Sequence, residues 1–317
     1  MEDRPRGWRS VTLATSLPAG TSLVLAADRD RRLLALWRGG RLFDLSPLTL
    51  DELLTGSAAD MRAQIESGRR WPEIVVGDIS LLSPVEGQEV WGAGVTYLRS
   101  RQARMEESTD ADVYERVYQA DRPELFFKAS GWRVIPPGGE VGIRPDSTWD
   151  VPEPELAVLT NSRGEAVAYS CGNDMSSRSI EGDNPLYLPQ AKIYDRSCSI
   201  GPAAVLAWEL GELPARRIQM TIERDGSEVF AGVAPLSDMV RDPVELCGVL
   251  HAAYRLPVGA WLLTGTPIVP PPPYSAAAGD VITISVDGLG ALVNRVTVVT
   301  HSGATAIHRP GRLQSQV

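Results

Sequence analysis

The chain has 317 residues, 43% hydrophobic and 22% charged, with a formal net charge of -9, which allows one large globular domain or two unequal ones. The acidic balance leaves no basic stripe to face nucleic-acid phosphates, no run of eighteen apolar residues spans a membrane, and the opening MEDRPRGWRS has no apolar export core. Cys171, Cys198 and Cys247 are too few and too scattered for a disulfide frame or a thiolate zinc site, so a cytoplasmic protein with reduced thiols is expected.

Residues 1–85 read as a small α/β domain and residues 86–317 as a larger, strand-rich one. RRLLALWRGGRLFDLS (31–46) is a strand, a Gly-Gly turn and a strand. LTLDELLTG and ADMRAQIESG follow as short helices, each closed by glycine. No chemistry is visible there, and the charges read as solvated surface. From Glu86 onward, short strands are punctuated by glycine and proline. EVWGAGVTY is a strand with two glycines, and residues 98–122 form a charged, helix-rich excursion, either a lid over a substrate or a solvated surface. ELFFKAS is a strand whose period of two puts Glu124, Phe126 and Lys128 on one face. A hairpin over 153–172 turns at NSRG, and a second over 216–233 has Asp-Gly at its tip. PVELCGVLHAAYRL (243–256) is an amphipathic helix, PPPP (270–273) is a stiff loop, and two strands close the chain. Many strands, few crossover helices and no repeat predict an α+β fold, a curled mixed β-sandwich roll after the small α/β domain.

The stretch WDVPEPELAVL raises the chemical question. Residues i and i+2 of a strand share a face, so Glu153 and Glu155 point together, and Pro154 between them marks an edge or a bulge. Folding the hairpin about NSRG is expected to set Tyr169–Gly172 beside Glu153–Leu156, with Asp174 just beyond. Three carboxylates then converge, and oxygen-only ligation favours Mg²⁺ first, with Mn²⁺ or Ca²⁺ as substitutes. The plainer alternatives are a solvent-facing pair of glutamates and an aspartate that only makes a turn.

A count adds to this. Of 31 basic residues, only Lys128 and Lys192 are lysine. Such a bias accompanies GC-rich coding, but arginine stays charged, whereas lysine can be tuned as an acid or base. The two lysines are therefore candidates for positions that need an amine.

PEPELAVL, GNDMSSR, LPQAKIYDRSCSIGP, LLTGTP and AGDVITISVDGLGALVNRV, in that order, resemble the fumarylacetoacetate hydrolase superfamily from about Val90 to Val299. The resemblance implies a mixed β-roll after a small N-terminal domain, a homodimer or homotetramer, and Mg²⁺ held by Glu153, Glu155 and Asp174. Hydrolase members carry a His-Glu dyad in a pattern like NYxxHxxE. Here the run is TYLRSRQARMEES, with Ser100 in the histidine's place and Ala103 in the glutamate's, although Glu106 or Glu107 could serve from the same helix. His251, His301 and His308 lie far downstream, as surface or packed residues. The runs RPELFFKA, WDVPEPELA and NDMSSRSIEGDNPLYLPQAKIYD are similar to the 2-keto-3-deoxy-arabinonate dehydratase branch, which also lacks that histidine.

That branch implies loss of water from a 2-keto-3-deoxy sugar acid to give a semialdehyde such as 2,5-dioxopentanoate. A 2-oxo acid offers carboxylate and ketone oxygens to a divalent ion, which stabilises the enolate left when C3 loses a proton. Lys192 is the expected base at C3 and Glu124 the expected acid at the leaving hydroxyl, or the reverse. Arg178, Gln190, Thr266 and Lys128 are the candidates for binding substrate, Lys128 also for bracing Asp174, and Arg178 also for pairing with Glu153. A hydrolase, decarboxylase or isomerase on the same metal site, and a non-catalytic sugar-acid-binding dimer, are the other readings.

Overall fold

The computed structural model describes residues 17–28, 31–67, 71–74, 79–98 and 116–300. Ser100, Ala103, Glu106, Glu107, His301 and His308, and most of the excursion at 98–122, lie outside the described residues.

Sixteen strands are described: β1 (Ser22–Asp28), β2 (Arg31–Arg38), β3 (Arg41–Asp44), β4 (Glu73–Ile74), β5 (Ile79–Leu82), β6 (Glu89–Gly94), β7 (Glu124–Ser130), β8 (Glu140–Ile143), β9 (Asp150–Thr160), β10 (Ala166–Ser177), β11 (Cys198–Leu206), β12 (Arg217–Arg224), β13 (Ser227–Pro235), β14 (Ala260–Leu263), β15 (Val281–Val286) and β16 (Gly290–Val298). Among the described residues they form two mixed sheets with few helices. The larger runs β4-β3-β2-β1-β11-β10-β9-β14-β6-β7, with β5 also on β1, and the smaller runs β13-β12-β15-β16-β8. The predicted mixed β-roll is thus present, and the N-terminal strands extend its large sheet, because Ser22 and Leu23 pair with Val205 and Ala204.

Alternation along β9 and β10 builds two cores on opposite faces of the large sheet. Leu156, Val158, Tyr169, Cys171 and Met175 meet Ile218, Met220, Ile282 and Ile284 of the small sheet. Ala157 and Leu159 face the other way, into a core with Leu53, Leu54, Met61 and Ile65 from the two N-terminal helices, Leu50–Leu54 and Ala58–Glu66. Both helices begin with a capping box, at Thr49 and Ser57.

Two local expectations need correction. The helix predicted over 243–256 runs only Pro243–His251: its last ring meets Thr160 at 2.9 Å, and Leu256 then turns into the core. The β9–β10 hairpin turns at NSRG, but Asp174 stands opposite Glu153 and Gly172 opposite Glu155, so Tyr169 lies opposite Val158 rather than beside Leu156. An irregularity between Ala166 and Ala168 absorbs one residue and accounts for one of the two positions by which the register differs. The Asp225-Gly226 tip behaves as predicted, with φ values of 53° and 77° that suit a tight hairpin turn.

Candidate active site

The register just described places the carboxylates. Glu153 and Glu155 share the face of Ala157 and Leu159, and residues directly opposite in an antiparallel pair share a face, so Asp174 joins Glu153. β14 pairs with β9 only from Ala157 to Thr160, so Pro154 lies where β9 has no strand on that side and its missing N–H breaks no ladder. All three acids are buried, at 2%, 2% and 1% exposure, and one oxygen from each lies within 4.8 Å of the others. They are the group, among the described residues, that could hold a metal ion.

Three cations answer the three anions. Lys192 Nζ donates to Glu153 Oε2 at 2.7 Å, Asp174 Oδ2 at 2.8 Å and Ser176 Oγ at 2.6 Å. Lys128 Nζ pairs with Asp174 Oδ1 and donates to the carbonyls of Met175 at 3.0 Å and Lys192 at 2.5 Å. An ammonium has three N–H groups, and those of Lys128 are all engaged within the protein. Arg178 NH2 lies 2.7 Å from Glu153 Oε1, with Glu181 Oε2 4.0 Å from its Nε. Breaking such a buried pair leaves an uncompensated charge, so each cation here is part of what makes the cluster tolerable. Glu155 is the exception, reached by the Gly265 N–H at 2.6 Å. Burial, and then the Asp174 and Glu153 carboxylates, push its pKa well above the usual carboxylate range; Lys192 and the Gly265 N–H oppose this.

The remaining predicted residues divide. Glu124 opens β7 opposite Gly94 of β6, and a Cβ at Gly94 would lie 1.9 Å from Glu124 Oε2. The bare glycine is what lets the carboxylate lie across β6. Two residues on, the Phe126 ring centroid is 5.7 Å from Lys192 Nζ, and Lys128 pairs with Asp174, so these two side chains of β7 reach the carboxylate cluster. Thr266 is buried, but its hydroxyl braces its own loop, donating to the Ile268 carbonyl at 3.0 Å. Gln190 is exposed on the short helix Leu188–Lys192, about 200° around the helix from Lys192, so the structure does not bring it to the carboxylates.

A profile of known proteins described as Fumarylacetoacetate (FAA) hydrolase C-terminal matches residues 89–297. The chain belongs to the fumarylacetoacetate hydrolase family. Within that family it is 50% identical, over 68% of its length and 74% of the relative's, to a Haloferax volcanii protein named "Probable 2-keto-3-deoxyxylonate dehydratase". It is 37% identical, over 70% of its length and 76% of the relative's, to the 2-dehydro-3-deoxy-D-arabinonate dehydratase of Saccharolobus solfataricus. A solved structure of 2-keto-3-deoxy-D-arabinonate dehydratase complexed with magnesium and 2,5-dioxopentanoate matches with a TM-score of 0.78 and 29% identity, covering 88% of this chain and all of that one.

Set in this fumarylacetoacetate hydrolase fold, two contacts escaped the sequence reading. Ser176 bonds Lys192, and its signal was present: it stands two residues past Asp174 on the same strand, hence on the same face. The Gly265 N–H on Glu155 had none, because it depends on how the loop after β14 packs. Gly265 has φ +91°, and a Cβ there would lie 2.0 Å from Thr96 Oγ1.

Proposed function

We propose that this chain is a divalent-cation-dependent hydro-lyase that removes water from a 2-keto-3-deoxy sugar acid of pentonate type, giving a semialdehyde such as 2,5-dioxopentanoate. The observation that carries this is the buried triad Glu153, Glu155 and Asp174 with Lys192 bonded to two of its members. Dehydratases of such acids among its relatives support the choice of substrate.

The donor set suits a hard cation, since all three ligands are carboxylate oxygens. Magnesium bound there supplies Lewis-acid polarisation of a substrate ketone. The chain's own groups do the rest. Lys192, as the free amine, takes a proton from C3, and Glu124 gives one to the C4 hydroxyl, which leaves as water. The allylic alcohol left at C5 then tautomerises to the aldehyde. Phe126 shields the amine from water on one side. Arg178 and Lys128 hold Glu153 and Asp174 in place, so their contribution to substrate binding is indirect. Thr266 is the further candidate for touching substrate; Gln190, exposed and turned away from the carboxylates, is not.

The test is incubation with Mg²⁺ and a 2-keto-3-deoxypentonate in D₂O, followed by NMR. Semialdehyde formation abolished by EDTA is expected. Deuterium at C3 without elimination points to an isomerase instead, cleavage of acylpyruvates alone to a hydrolase, and no reaction with any of these to a binding protein.

Location and assembly complete the proposal. Among the described residues no helix is long and apolar enough to cross a membrane, and Cys171, Cys198 and Cys247 are buried free thiols, which supports a cytoplasmic place. A homodimer or homotetramer is the proposed assembly. The edge strand β13 leaves Val229 and Val233 44% and 60% exposed, and light scattering of the purified chain tests the state.

A further inference from the structure

The peptide unit between Thr264 and Gly265 is held at both ends. Its N–H donates to Glu155 Oε2 at 2.6 Å. Its carbonyl accepts from Thr96 Oγ1, also at 2.6 Å, and Thr96 is fully buried. A peptide unit is planar and trans, so its C=O and N–H point in opposite directions, and whatever fixes the carbonyl also aims the N–H. Gly265, with φ +91°, has the backbone freedom to let this unit turn over, which would aim a carbonyl oxygen at the Glu155 carboxylate instead. The Thr96 hydroxyl stands against that rotation, in the space that a side chain at residue 265 would need.

Thr96 is itself delivered by a strained turn. Val95, directly after β6, has φ 55°, a left-handed conformation that is rare for a β-branched side chain. Such strain persists where neighbouring contacts hold it, and it gathers at working sites. Here the Val240 N–H donates to the Thr96 carbonyl at 3.0 Å, and Tyr97 bridges to Met239. From the other side, the Thr264 N–H and hydroxyl each donate to the Leu156 carbonyl at 3.0 Å, which ties the loop after β14 to the residue following Glu155.

We propose that Thr96 is a positioning residue, a latch whose hydroxyl on the Thr264 carbonyl keeps the Gly265 N–H on Glu155 and so keeps that carboxylate turned toward the other two. The latch stands on these contacts alone; its effect on cation affinity rests on the triad being the metal site. The sequence makes it readable, because Thr-Gly occurs only at 55–56 and 264–265. Protein made with carbonyl-¹³C threonine and ¹⁵N glycine therefore gives two carbonyl-to-amide correlations by NMR. The one lost in Thr55→Ser, whose serine carries no label, belongs to Gly56.

In metal-free Thr96→Val, which keeps the shape of threonine without its hydroxyl, the Gly265 amide is expected to shift and to exchange with solvent about tenfold faster, while Gly56 stays. The Mg²⁺ affinity by calorimetry should fall about tenfold or more. Thr96→Ser, which keeps a hydroxyl, should retain the Gly265 signal and an affinity within about threefold of the parent. Thr96→Cys, of similar size but a weak donor, makes the same test should the valine variant not fold. A Gly265 amide unmoved in the Val or Cys variant overturns the proposal, as does a serine variant that loses as much as they do. An affinity held within about threefold despite a moved amide overturns it too, since Glu155 would then need no latch. A parent that binds no Mg²⁺ sinks the metal site and the dehydratase reading, and the metal-free amide still decides whether Thr96 holds the peptide.

Discussion

Lys192 and Asp150 show how differently two buried ionisable side chains behave at the scale of one residue. Lys192 touches two of the three candidate ligands but is not one of them. Lys192→Ala should therefore leave Mg²⁺ binding measurable by calorimetry while lowering turnover by roughly 10²- to 10⁴-fold, the usual worth of a general base. Near-normal rates would remove it from the mechanism. Asp150, at the start of β9, has Oδ1 buried without a hydrogen-bond partner, and burial pushes its carboxyl up to about 6 from the ordinary 3.8. The folded chain thus holds this proton more tightly than the unfolded chain does. Its contribution to stability is present below pH 4 and is lost as pH rises through about 6, by up to roughly 3 kcal/mol. Asp150→Asn should accordingly gain stability over the parent in urea unfolding at pH 8 and lose that advantage at pH 4; an equal difference at both values would sink the assignment.

At the scale of the element, close approach between neighbouring strands decides whether the site can form. β6 and β7 pair with Gly92 opposite Phe126 and Gly94 opposite Glu124. A methyl group at residue 94 would meet the Glu124 carboxylate at 1.9 Å, so Gly94→Ala should displace that side chain without removing a core contact. The expected result is a fall in kcat of about tenfold or more, with an unfolding midpoint close to that of the parent. A variant with full activity would show that Glu124 takes no part in the reaction. The β9–β10 hairpin was legible as a pair of strands and a turn, since NSRG punctuates two apolar runs. Its register was not: Asp174 lies directly opposite Glu153, two positions from the expected pairing, and the irregularity near Ala166, which has no residue signature, accounts for one of the two.

For the whole molecule, the carboxylate cluster couples ligand to stability. β9 and β10 are the middle of the large sheet, and the cores on both faces depend on them. A cation that binds only the folded chain stabilises it by about 2.7 kcal/mol at one hundred times its dissociation constant, so saturating Mg²⁺ should raise Tm by several degrees and EDTA should reverse this. No Mg²⁺-dependent shift in a calorimetric scan would argue against the site. Glu153→Gln should reduce the same shift, which ties the effect to the triad rather than to general salt.

Chain order and local chemistry were enough to say that this is a strand-rich roll with a Glu-x-Glu strand, a later aspartate and two unusual lysines. Period two put Glu153 with Glu155, and Glu124 with Phe126 and Lys128, because a pleated strand leaves no other choice. What only the tertiary structure decided is which groups meet across elements: Lys192 from a short helix onto β9 and β10, the Gly265 N–H onto Glu155, and Gln190 turned to solvent beside a buried neighbour. Such contacts join residues up to 110 positions apart in the chain. They depend on sheet register and loop packing, which are set by the burial of both cores together and not by any one segment.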